Sequence, residues 1–134
     1  MSVRAIPLLV LAFLLYNAIV LTLGEGALTS QIFQIKLLSG GEWQFTWGDF
    51  ILLATLVLLF IEIVKSTFTT TSTLIDHALS MIVFIAVGAE FLIVPQAATS
   101  IFFLILIASL IDVIGGYTIG IRVARRDLNI GSDQ

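Results

Sequence analysis

Residues 101 to 121 read IFFLILIASLIDVIGGYTIGI, 21 residues in which Asp112 is the only charged side chain. At about 1.5 Å per residue, a helix of this length spans roughly the 30 Å hydrocarbon core of a bilayer. Working outward, three more apolar runs precede it, at about 77–94, 50–64 and 5–23, each separated from the next by a short polar break. Four such runs predict an all-α membrane protein, a bundle of four transmembrane helices. With 134 residues, 59% of them hydrophobic and 11% charged, there is room for these helices and one substantial loop, so residues 1–134 read as a single domain.

The composition also narrows function. The chain has no cysteine, which excludes disulfides, thiol redox chemistry and thiolate metal sites. One histidine without a second histidine or a cysteine gives no metal centre, and no catalytic or cofactor motif stands out. We therefore expect neither an enzyme nor a cofactor or metal. The net charge of −3 carries no basic surface for nucleic acid.

Arg4 followed by an apolar run has the outline of a secretory signal, but the run is long and no A-x-A-like site follows, so it reads as a retained span. With an even number of spans, Arg4, Lys65, Arg122, Arg125 and Arg126 share one side and Lys36 lies on the other. The positive-inside rule then predicts cytoplasmic termini. Arg122, Arg125 and Arg126 read as a basic end attracted to anionic lipid.

The breaks carry their own signals. Ser66 to Thr73 reads as a short cytoplasmic turn, and Thr73 with Asp76 has the spacing of a helix cap for the third span. Pro95 ends that span, and Ser100 can cap the fourth. Between the first two spans, Phe33, Ile35 and Leu37 alternate with polar residues, then Ser39-Gly40-Gly41 intervenes, then Trp43, Phe45 and Trp47 alternate again. This period of two predicts a β-hairpin over about 33–47 in the first extracytoplasmic loop. A three-residue loop, Ser39 to Gly41, sets Leu37 opposite Trp43, Ile35 opposite Phe45 and Phe33 opposite Trp47. The aromatic face then needs a cover: the helix ends, the headgroup layer or a partner protein.

Inside the spans, an acid costs on the order of 2.5 to 3.5 kcal/mol at the bilayer centre, so each requires an explanation. Glu62 lies near the end of the second span, three residues from Lys65, and reads as an ion-paired interfacial group. Asp112 lies near mid-span, with Glu90 within about 6 Å of its depth and Asn17 at a similar level, so the three form a candidate polar cluster. Ala108, Asp112, Gly116 and Gly120 recur every fourth residue, a small-residue face suited to close helix packing. Asp76 and His77 read as an interfacial pair at the start of the third span.

Several segments resemble an uncharacterised family of small bacterial four-span membrane proteins. They are Ile75-Asp76-His77-Ala78-Leu79-Ser80, Glu90-Phe91-Leu92, Pro95-Gln96-Ala97-Ala98-Thr99-Ser100 and Ile111-Asp112-Val113-Ile114-Gly115-Gly116, leading to Ala124-Arg125-Arg126-Asp127. The chain's size, its span count and the Glu62 and Lys65 pair also look like the phosphate-starvation-inducible PsiE family, from which the aromatic hairpin departs. Neither resemblance implies an activity. The expected function is an accessory, scaffolding or assembly subunit of a larger membrane complex or a homo-oligomer, with the lipid bilayer and another membrane protein, or a second copy, as partners. The alternative is a small proton- or cation-conducting protein using Asp112 and Glu90.

Overall fold

The computed structural model describes residues 6–67 and 73–132; for Thr73, Leu74, Asp76, Gly120, Val123, Ala124 and residues 127–132 it describes the backbone alone. The elements run α1 (Leu9–Leu23), a 3-10 turn (Glu25–Thr29), β1 (Gln31–Lys36), β2 (Glu42–Thr46), α2 (Trp47–Ser66), α3 (Thr73–Ile93), a second 3-10 turn (Pro95–Ala97) and α4 (Ser100–Ser132). The four helices and the two-stranded antiparallel hairpin expected from the sequence are both present. The expected cap of Thr73 by Asp76, and most of the link before it, lie outside the described side chains.

Local chemistry sets the helix limits. At the start of α2, Thr46 Oγ1 accepts the Asp49 N–H at 3.2 Å while Asp49 Oδ2 accepts the Thr46 N–H at 3.1 Å, a reciprocal cap. Val94, held extended ahead of Pro95, ends α3. Thr99, rather than Ser100, caps α4, its hydroxyl accepting the Phe102 N–H at 3.1 Å. α4 also runs well past the expected end at residue 121: its 33 residues make a helix of about 50 Å. No proline interrupts Arg122 to Leu128, and arginine, alanine and leucine there favour continuation.

The helix order follows from which residues meet. Gly88 faces Leu106, Ser80 bonds Asp112 and His77 meets Gly116, so α3 and α4 run antiparallel. α2 and α4 run parallel, since Gly48 meets Ile101 at one end and Ser66 meets Gly116 at the other. α4 is thus flanked by α3 and α2, with α1 packed chiefly on α2. The bundle has a hairpin end, with the 3-10 turns and the starts of α2 and α4, and an opposite end where α1 begins and α2 finishes.

The interior combines an apolar core, including Ile51, Val87, Phe102 and Ile105, with several polar groups, and the exterior is apolar. Thr55, Glu62, His77, Ser80, Ser109 and Asp112 are buried, whereas Leu14, Leu56, Phe60, Ile82, Ile85 and Ile114 are exposed. α2 and the Ser100–Ile119 part of α4 are long and apolar enough to cross a membrane; Leu9–Leu23 and His77–Ile93 are apolar but shorter. By length and composition, two helices meet the requirement for a span among the described residues.

The hairpin corrects the expected register. Leu37 N–H bonds Gly41 O at 2.8 Å and Gly40 N–H bonds Leu37 O at 2.9 Å, so the three-residue loop is Leu38-Ser39-Gly40. Gly40, at φ +90°, takes the left-handed third position. Phe33 then pairs with Phe45 and Ile35 with Trp43, and the ladder shifts at Ile32. Either glycine can occupy the left-handed position, but this choice sets Lys36 opposite Glu42 and stacks Phe33 on Phe45, ring centroids 4.8 Å apart. Because the pairing slips by two residues, the aromatic face survives. Trp47 leaves the ladder as the first residue of α2, drawn there by the Thr46–Asp49 cap.

Candidate functional site

The densest polar chemistry lies at the end opposite the hairpin. α2 contributes Glu62, 5% exposed, whose Oε1 accepts the Leu8 N–H at 2.6 Å and pairs with Lys65 Nζ at 3.2 Å. Lys65 Nζ also donates to the Ile6 carbonyl at 3.2 Å. Leu8 precedes α1 and has no capping side chain of its own, so Glu62 satisfies that helix start from across the bundle. The ion pair expected at Glu62 is present, and it carries this additional role.

Asp112, also 5% exposed, comes from α4, is hydrogen-bonded with Ser80 of α3 and lies within electrostatic reach of Glu62 and Lys65. Beside it, the buried His77 ring stacks on Tyr117 with centroids 4.3 Å apart and 12° between planes. Gly116 makes this approach possible: a Cβ there would lie 3.2 Å from His77 Cε1. The expected packing face is thus turned inward, with Ala108, Asp112 and Gly116 buried; Gly120's surroundings lie outside the described residues. Glu62, Asp112 and His77 share this end of the bundle, yet among the described residues no three potential ligands converge as a metal ion requires.

Asp112 does not meet Glu90 or Asn17. Glu90 lies ten residues beyond Ser80 along α3, about 15 Å of helix from the level of Asp112. Asn17 Nδ2 bonds the Phe13 carbonyl of its own helix at 3.1 Å. Glu90 instead lies within electrostatic reach of Tyr16, and its Oε2 is buried with no hydrogen-bond partner among the described residues. The residue missed by sequence reasoning is Tyr16. It is fully buried, and its hydroxyl donates to the Gln96 carbonyl at 2.8 Å and bonds Thr99 Oγ1 at 2.7 Å, tying α1 to the turn between α3 and α4.

Three further features lie on the surface. The hairpin exposes Phe33, Ile35, Leu37 and Trp43, with Phe45 half-buried and Trp47 joined to Phe50 by a ring contact of 5.9 Å. Arg122, Arg125 and Arg126 are exposed on the extended part of α4. Between the parallel helices α2 and α4 lies a groove of about 220 Å³, lined by Leu52, Thr55, Leu56, Leu59, Leu104, Ile107, Ala108 and Ile111. Thr55 gives its hydroxyl hydrogen to the Ile51 carbonyl at 2.7 Å, so the groove wall is apolar in effect.

No family model, curated protein or solved structure matches the chain, so the two resemblances drawn from the sequence rest on the quoted residues alone.

Proposed function

We propose that this is a four-span protein of a bacterial cytoplasmic membrane, with both termini cytoplasmic, and that it serves as an accessory or assembly subunit of a larger membrane complex. The apolar exterior supports four spans. Leu14 on α1 and Ile82 and Ile85 on α3 are as openly exposed as Leu56 and Phe60 on α2, and only lipid or protein suits such a surface. The shorter apolar parts of α1 and α3, about 22 and 25 Å long, are accommodated by modest bilayer thinning.

The accessory role rests on one observation, the apolar groove between α2 and α4. In hydrocarbon, helices associate by packing rather than by hydrophobic burial, and a concave seam between parallel helices accepts the side chains of a further helix. The buried acids support the same reading, since Glu62 and Asp112 are engaged in helix capping and interhelical bonding. As the chain lacks cysteine, a single-cysteine variant carries a photocrosslinker at one known position of the chain. Leu56 in the groove and Ile85 on α3 are matched in exposure, at 62% and 59%. In native membranes, a probe at Leu56 should yield one discrete larger adduct and a probe at Ile85 none; equal or absent crosslinking at both sites contradicts a dedicated docking seam.

The unpartnered Glu90 Oε2 favours a second reading, a proton- or cation-conducting protein. Val87 and Ile105 lie in the interval between Glu90 and Asp112 and belong to the apolar core, so conduction between the acids requires water to enter that core. Flux into liposomes that Asp112→Asn abolishes would put this reading first.

A further inference from the structure

We propose that the hairpin is an interfacial anchor whose aromatic face lies in the lipid headgroup layer at the hairpin end of the bundle. This rests on the membrane reading above and commits to lipid, rather than protein, as the surface the hairpin covers.

The hairpin lacks a cover among the described residues. All of β1 and most of β2 are exposed, and beyond each other the strands pack substantially only on α2, into which β2 leads. A two-stranded hairpin alone in water is marginal, so its ordered cluster of Phe33, Trp43 and Phe45 implies an external surface. The tip carries the same implication: turns exposed to water favour polar residues, yet Leu38 is fully exposed beside Leu37.

Two observations select lipid. The exposed aromatics continue into the face of α2 that the membrane reading assigns to hydrocarbon. Trp47 touches Phe50, and exposed Phe50, Leu53, Val57, Phe60 and Val64 follow at helical spacing. Tryptophan and phenylalanine at the end of such a stripe match the chemistry of the membrane–water interface. On the other face, Lys36 opposes Glu42 and Gln34 Nε2 donates to Glu42 Oε2 at 2.7 Å. The hairpin's two charges are of opposite sign and sit opposite each other, leaving a polar face for water that carries no net charge for a charged protein partner.

The test uses tryptophan fluorescence of the full chain in phosphatidylcholine vesicles. Trp43 and Trp47 are the only tryptophans, so Trp47→Phe isolates Trp43, and subtracting the Trp43→Phe signal from wild type gives the same quantity if Trp47→Phe folds poorly. Lipid spin-labelled near the headgroup should quench Trp43 at least about twofold, with aqueous iodide having little effect. Quenching by iodide without lipid quenching would overturn the proposal, as would protection from both, which means that protein covers the face. Phe60→Trp separates the two readings, since mid-chain label should quench it whether or not the hairpin lies in the interface. If Phe60→Trp is quenched and Trp43 is not, the anchor fails and the membrane reading stands; if neither is quenched, both fail.

Discussion

The two ends of the bundle treat the same residue type in opposite ways. At the end opposite the hairpin, Glu62 is buried with an acceptor role on the Leu8 N–H and a lysine partner. Toward the hairpin end, Glu90 buries an oxygen with no partner. A carboxylate in a low-dielectric interior is tolerable when its interactions replace those lost from water, and costly when they do not. The first end is therefore a closed lock of α1, α2, α3 and α4, whereas the second ties Tyr16 to Gln96 and Thr99 but leaves a buried carboxylate oxygen unsatisfied among the described residues.

The sharpest way to break this contrast is to remove Glu62. Glu62→Ala strips the Leu8 N–H of its acceptor and Lys65 of its carboxylate, and should cost roughly 3 kcal/mol, read as a lower unfolding temperature in detergent. Next in size is Gly48→Ala. A methyl group there would run into Ile101 and come within 2.9 Å of the Leu28 carbonyl oxygen, so about 1 to 3 kcal/mol should be lost. Gly115→Ala, with nothing within 4 Å, is its control and should be neutral or slightly stabilising. Tyr16→Phe removes the hydroxyl that holds Gln96 and Thr99, a loss of about 1 kcal/mol in the same assay. The smallest effect is expected of Glu90→Gln, which removes no hydrogen bond made by the orphaned oxygen and should leave the unfolding temperature unchanged or raised. Equal losses for Glu62→Ala and Glu90→Gln would erase the difference between the ends.

The sequence carried some of these features and not others, for physical reasons. Apolar run length and the Thr46 to Asp49 spacing are local, so the helices and the start of α2 are legible. The hairpin is legible from its alternation, but two adjacent glycines both satisfy the left-handed loop position, and cross-strand contacts decided between them. Asp112 is recognisable as an acid on a small-residue face. Its partners are not, because they depend on α4 lying between α2 and α3 and on the vertical register of α3 against α4, and no periodicity encodes either. That register separates Asp112 from Glu90 and brings it to Ser80. Tyr16 gave no signal because a lone tyrosine in an apolar run has the pattern of any packed aromatic.

The proposed crossing of the membrane by all four helices is tested most directly by side-specific labelling of single cysteines in intact cells. A membrane-impermeant maleimide should label Gln44→Cys in the hairpin and Gln96→Cys in the turn between α3 and α4 from outside. Ser2→Cys ahead of α1, Thr67→Cys after α2 and Arg125→Cys on α4 should react only once the membrane is opened. Labelling of any two successive positions in the series Ser2→Cys, Gln44→Cys, Thr67→Cys, Gln96→Cys and Arg125→Cys from the same side would contradict four crossings.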